Sequence, residues 1–257
     1  MALPVPIGDA AQDADADRVK AWLDGGGDVN DVDKDGYTLL NCCAVGYRDD
    51  NTMMEIGHAH VSLARTLIAL GADVNIPETA GPQGSGTTPL HNASRGQGVA
   101  SLDMVKLLLD AKANPNARCS DGDTPLKRAI EETGDLETTL AISRMLLRSG
   151  ASLDCDKRSS GELISAEDIM SHYYGEGDDE SSGYNETVVA LKALFAGVRK
   201  HGTYKRYMRA PHRDVLAVRG LAQRGKLRTD HPVLAFLAKQ GDNGVVWHIL
   251  SYWRPDN

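Results

Sequence analysis

The sequence predicts an all-α fold: a solenoid of stacked helical pairs joined by hairpin loops, followed by a small helical module. Three observations predict it. One short element recurs along the chain, as GGDVN at 26–30, GADVN at 71–75, KANPN at 112–116 and GASLD at 150–154. A second alternates with it, as TLLN at 38–41, TPLH at 88–91 and TPLK at 124–127. The aromatic content is only 5%, which suits small cores of Ala and Leu better than a β-sandwich. Self-similarity on this scale marks a repeat architecture, in which each unit buries its apolar face only by stacking on its neighbours.

The spacing carries the family resemblance. Thr88-Pro89-Leu90-His91-Asn92-Ala93 completes the T-P-L-H-x-A signature of an ankyrin repeat. Gly26 precedes Thr38 by 12 residues, and Lys112 precedes Thr124 by 12. The other intervals are longer, yet the alternation survives each insertion, so the extra residues belong in loops. The chain therefore resembles the ankyrin-repeat family over residues 5–198, in five units of about 5–30, 31–75, 76–116, 117–154 and 155–198. It departs from the consensus in unit 2, which lacks the Pro, in unit 3, where Lys112 replaces Gly, and in unit 5, which keeps little of the pattern.

Taken in order, Val5-Pro6-Ile7 fills the first T-P-L slot, Ala10-Ala11 the paired-alanine slot, and Val19 opens the second helix. In units 2 to 4 a Thr stands where a helix N-cap is needed, and Pro89 sits where a missing N–H costs nothing. Gly36 and Gly122 permit the positive φ of the turn. The Asp and Asn of the DVN element are expected to bond the backbone across the hairpin. Leu67, Ile68 and Leu70, then Val105, Leu107 and Leu108, are expected on the helical faces that pack on neighbouring units. In unit 5, Ser165 to Ile169 takes the first-helix slot. Val188, Val189, Leu191 and Leu194 recur at helical spacing, and the acidic stretch 175–183 reads as a solvated loop.

The stretch DVDKDGYTLLNCC, 31–43, also begins as a calcium loop begins, with carboxylates at Asp31, Asp33 and Asp35 and a glycine at Gly36. The final position of such a loop needs a bidentate Glu and here holds Cys42, so turn and cap roles explain the residues better. No cofactor or metal is expected. No P-loop, nucleophile elbow or zinc-protease motif is present, so the chain is expected not to be an enzyme. The four cysteines form no C-x-x-C pair, which with the absence of a signal-like N-terminus points to reduced thiols in the cytoplasm or nucleus rather than secretion. No apolar run is long enough to span a membrane.

The resemblance implies a protein partner, of unknown identity, on the concave face made of hairpin tips and first helices. The positions the repeat does not prescribe are Lys34, Asp35, Tyr37, Arg118, Asp121 and Asp123 on the tips, and Asn92, Arg95, Arg128, Glu131 and Glu132 on the first helices. Two insertions stand out: 76–86, which lengthens a hairpin, and 48–60, which separates the helices of unit 2. His58 and His60 are expected in the latter's loop, and His91 is read as a structural histidine.

Charge is divided unevenly. Residues 1–198 carry a net −16, and residues 199–228 a net +9. Residues 199–257 leave the repeat pattern and read as a basic helical module that closes the solenoid's end. The segment VVWHILSYW, with Val246, Trp247, Ile249, Leu250 and Trp253, is similar to the first helix of F-box domains. Leu216, Arg219 and Leu221 resemble part of a SOCS box. Both resemblances imply recruitment of a cullin ubiquitin ligase through an adaptor. Asp242-Asn243-Gly244 stands where an F-box has its leucine-proline, and no cysteine lies near Leu216. The basic stretch could instead grip nucleic acid or an anionic surface, with Tyr204 and Tyr207 among the cations. The acidic repeats make nucleic acid the least expected of these partners.

Overall fold

A computed structural model describes residues 3–46, 56–79, 86–132, 135–157, 163–174, 184–210 and 213. The chain divides into two compact units, Met1–Ala196 and Gly197–Asn257.

The first unit is built from helical pairs: α1 (Val5–Gln12) with α2 (Ala16–Asp24), α3 (Leu39–Val45) with α4 (His58–Ala69), α5 (Pro89–Ser94) with α6 (Gly98–Asp110), and α7 (Pro125–Glu132) with α8 (Leu136–Arg148). A short antiparallel hairpin, β1 (Asp154–Lys157) and β2 (Leu163–Ser165), leads into α9 (Ala166–Tyr174), and α10 (Tyr184–His201) follows. The first helices pack in succession, α1 on α3, α3 on α5, α5 on α7 and α7 on α9, while α4, α6 and α8 form the layer behind. This is an all-α repeat solenoid.

The short first helices α3, α5 and α7 are largely enclosed, since each has a second helix behind it and a unit on either side. Leu39, Leu40, Cys43 and Ala44 are fully buried, as are Leu90, Ala93, Leu126, Ala129 and Ile130. Such helices are too short to be stable alone, and burial offsets that weakness at about 25 cal/mol per Å² of apolar area. The second helices bury a single stripe: Val61, Leu63, Ala64 and Leu67 on α4, then Met104, Val105 and Leu108 on α6, then Ile142, Leu146 and Leu147 on α8.

Two apolar expectations are corrected. Leu70 is 57% exposed and Ile68 only half-buried, because the C-cap position of α4 lies past the end of the buried stripe. Val189 is also 57% exposed, while Val188, Leu191, Leu194 and Phe195 turn inward. Adjacent residues on a helix lie 100° apart, so Val188 and Val189 do not share a face. The start of α9 is capped by Ser165: its hydroxyl donates to the Asp168 carboxylate at 2.7 Å, and the Asp168 N–H donates back to Ser165 Oγ at 3.2 Å.

The second helices end alike. After α4 the Ala72 N–H reaches back to the Leu67 carbonyl at 3.0 Å, after α6 Ala113 reaches Leu108 at 2.9 Å, and after α8 Ala151 reaches Leu146 at 2.9 Å. This closure puts one residue in the left-handed region. Gly71 and Gly150 fill it at φ +96° and +97°, and Lys112 fills it at φ +70°.

From there the DVN element ties one unit to the next. Its first polar residue makes a local turn: Asp28 Oδ1 accepts from the Asn30 N–H at 2.9 Å and Asp73 Oδ1 from the Asn75 N–H at 2.8 Å. Its last Asn does not bond within its own hairpin, as expected from sequence, but bridges forward. Asn30 donates to the Gly71 carbonyl at 3.2 Å and accepts from the Asp73 N–H at 2.7 Å. Asn75 does the same with Lys112 and Asn114 at 3.4 and 2.8 Å, and Asn116 with Gly150 and Ser152 at 3.0 and 2.7 Å. An amide carries both a donor and an acceptor, and this ladder uses both.

Two outcomes follow for stability. Asn75→Ala removes one rung and is expected to cost about 1–2 kcal/mol in urea denaturation, whereas Asn75→Asp keeps the acceptor and costs less. Lys112→Gly relieves a left-handed lysine and is expected to raise stability by about 0.5–1 kcal/mol.

Candidate interaction surface

The unit-2 hairpin is held by Asp33. Its Oδ1 accepts from the N–H groups of Asp35 and Tyr37 at 2.9 and 2.8 Å, the Gly36 N–H donates to its carbonyl at 3.0 Å, and Val32 bridges Thr38 across the strands. Gly36 adopts φ +77°, and a Cβ there would stand 1.8 Å from Thr79 Oγ1. Asp33 is thus a turn residue. The turn leaves Lys34 and Asp35 exposed, with the Lys34 Nζ 3.8 Å from an Asp35 carboxylate oxygen. Tyr37 is half-buried. Burial, and then the charge of Glu78, which accepts a hydrogen bond from its hydroxyl, push its pKa up to about 12. It therefore keeps its proton and clips one hairpin to the next.

The unit-4 hairpin closes in the same way, with the Cys119 N–H on the Asp123 carbonyl and the Gly122 N–H on the Cys119 carbonyl, both at 3.0 Å. Arg118 is exposed, but its guanidinium donates to the Gly122 and Asp154 carbonyls at 2.7 and 2.9 Å. Asp121 is exposed at the tip, with one carboxylate oxygen 3.9 Å from the Arg128 guanidinium. Asp123 is only 5% exposed; its carboxylate takes Lys127 on one oxygen and Arg128 at 3.1 Å on the other. Lys127 also lies 3.8 Å from Glu131. Cys119, Asp121 and Asp123 bring three metal-type donors within 4.8 Å of one another. The Arg128 guanidinium already stands 3.8, 3.9 and 3.1 Å from them, so the cation at this cluster is an arginine.

Among the remaining expected contact positions, Asn92 is 5% exposed beneath the surface and Arg95, the C-cap of α5, is half-buried. Glu132 closes α7, and its side chain lies outside the described residues. So do Leu216, Arg219, Leu221, Val246, Trp247, Ile249, Leu250 and Trp253. Of the expected tip residues, Lys34 and Asp35 in unit 2 and Arg118 and Asp121 in unit 4 face solvent, whereas Asn92 and Asp123 are buried and Arg128 is half-buried.

His91 ties its own unit to the next. Its Nδ1 accepts from the Thr88 N–H at 3.2 Å and lies 2.9 Å from the Thr88 hydroxyl; its Nε2 donates to the Asp123 carbonyl of the next unit at 3.1 Å. Burial lowers its pKa to about 4, which keeps the ring neutral. His60 plays a similar part, and the expectation of a loop is corrected: His58 and His60 lie in α4. Nδ1 of His60 accepts from the Gly57 N–H at 3.0 Å, and Nε2 donates to the Gln12 carbonyl at 2.6 Å. The only sequence signal for this was a histidine three residues after a glycine at a helix start.

Cys42, Cys43, Cys119 and Cys155 are all buried, and none is in a disulfide. Burial, with the nearby carboxylates of Asp33 and Asp9, pushes Cys42 up to about 12, and burial raises Cys43 as well. No helix among the described residues is long and apolar enough to cross a membrane.

Residues 52–157 match the family model of ankyrin repeats, in three copies. The stacked units in this stretch match ankyrin repeats. Over 93 residues the chain is 42% identical to the BTB/POZ domain and ankyrin repeat-containing proteins NOOT1 of Medicago truncatula, NBCL of Lotus japonicus and BOP of Lupinus luteus. That stretch is 36% of this chain and 16% of each relative, so the likeness covers a small part of those proteins. Ankyrin repeats are protein–protein interaction modules.

The buried His91 makes acid stability testable. Its folded pKa lies below the unfolded value near 6.5, so the unfolded chain binds the extra proton and stability is lost as pH falls from about 6.5 to 4. The loss expected is on the order of 3 kcal/mol, read as a fall in the urea midpoint. His91→Gln is expected to be less stable at pH 7 and to flatten that pH dependence.

Proposed function

We propose that this chain is a non-enzymatic adaptor that holds a partner protein against the hairpin tips and first helices of its ankyrin repeats. The observation that carries the reading is a division of labour among the side chains. The Asn rungs, Asp33, His91 and the Asp123–Arg128 pair hold the backbone in place, while Lys34 and Asp35 extend into solvent and Asp121 is exposed beside Arg128. Arg118 belongs to both groups. Rigid, pre-ordered positions lose little entropy on binding, and arginine is a frequent anchor at interfaces. The relatives support an interaction role through their ankyrin repeats; the BTB/POZ domain in their names belongs to those proteins.

The test is co-purification of the full chain from its own source cells, compared with the triple variant Lys34→Glu, Asp35→Lys, Asp121→Lys. The variant is expected to melt within about 2 °C of the parent, since the changed side chains are exposed, and to lose its main partner at least tenfold. Partners retained in full by a folded variant would overturn the assignment to this face. Recovery of a cullin adaptor that disappears when 199–257 is deleted would assign the ligase role to that segment.

A further inference from the structure

The second compact unit begins at Gly197 and contains the last turn of α10. Gly202, at φ +77°, turns the chain, and Thr203 opens a new helix over 204–210 by accepting from the Arg206 N–H at 3.2 Å on its hydroxyl. This helix has two unlike faces. Tyr204 and Ala210 are buried, and the Tyr207 ring lies so close over Gly197 that a Cβ there would be 2.3 Å from it. Lys205, Arg206 and Arg209, at i, i+1 and i+4, are exposed together, and Lys200 and Arg213 are exposed nearby in sequence. No Asp or Glu occurs from Thr187 to Arg213, and no described acid pairs with Lys205, Arg206 or Arg209.

The inward turn of the tyrosines narrows the partner. Single-stranded nucleic acid is held largely by stacking on exposed aromatics, and here the rings pack inside. A membrane-surface helix needs a free apolar face, and here that face is already buried. An arginine at a protein hot spot sits in a well-packed, desolvated pocket, and here Arg206 and Arg209 stand in solvent among other cations. What suits a surface of exposed guanidinium and ammonium groups is a regular array of phosphates, which requires charge and hydrogen-bond donors alone. Arginine adds bidentate contact with each phosphate.

We propose that the exposed basic face of residues 200–213 binds the phosphate backbone of a nucleic-acid duplex without reading its sequence. The site lies in the second compact unit. Tyr204 is buried and Tyr207 half-buried against Gly197, so the exposed side chains on this face are the cations.

The test titrates the full chain into a fluorescently labelled DNA duplex of about 20 base pairs and arbitrary sequence, at salt from about 50 to 200 mM. With four or five phosphates engaged, log K is expected to fall against log salt with a slope of about −4, a loss of about 250-fold over that range. Two unrelated duplex sequences are expected to bind equally. The variant Arg206→Glu/Arg209→Glu is expected to bind at least tenfold more weakly with its melting temperature unchanged. Should that variant unfold, Arg206→Gln/Arg209→Gln is expected to reduce the slope by about 2. Absence of binding at 50 mM salt, binding indifferent to these substitutions, or binding only to phosphatidylserine vesicles or to a polyglutamate peptide would each overturn the proposal.

Discussion

The contact on which the solenoid depends is a side chain of one repeat bonded to the backbone of the next. An ankyrin unit has few apolar atoms to bury, and its first helix is only six to eight residues long in α3, α5 and α7. Hydrophobic stacking alone would leave such units free to slide, because apolar contact is not directional. The Asn ladder removes that freedom. Each rung takes both a carbonyl and an N–H two residues apart in the neighbouring unit, so it fixes register as well as distance. His91 and His60 repeat the device on the other side of the stack, each ring satisfying its own helix start with one nitrogen and a preceding or following unit with the other.

That arrangement explains why polar residues are so common in the interior. Asn41, His91, Ser94 and Thr139 are all fully buried and each makes a side-chain hydrogen bond to a backbone carbonyl. A buried polar group is costly unless paired, and in this fold the many first-helix ends and hairpin carbonyls supply partners at regular intervals. The same logic places Asp123 under the unit-4 tip, where Lys127 and Arg128 neutralise it. A residue at the tip of a hairpin is therefore not automatically part of the binding surface: Lys34 and Asp35 are exposed, while Tyr37 and Asp123, in the same hairpins, face inward.

The two halves of the chain divide their chemistry along similar lines. In the repeats, charges lie in mixed pairs and the exposed ones are scattered over rigid tips, a pattern suited to a folded protein surface. In the following unit, cations gather on one helix face with their aromatic neighbours packed behind them, a pattern suited to a uniform polyanion. Both readings come from which side chains the backbone leaves in solvent, and neither requires a reactive group. The raised Cys42 and Tyr37 and the lowered His91 are consequences of burial in a stable stack.

The repeat units and their order were legible in the sequence because each depends on local rules: a Thr before a short apolar run, a glycine after a longer one, and fixed spacing between them. Thr38, Thr88, Gly71 and Gly150 carry their roles in their own neighbourhoods. What the sequence could not show was which residue a side chain reaches across 31 to 48 positions, as Asn30 does to Gly71 and His60 to Gln12. Those pairings arise only when units stack, and stacking also decided that Leu70 and Val189 face solvent while Asp123 and Asn92 do not. Local hydrogen bonding determined the elements, and burial between elements determined which of their side chains remain available to a partner.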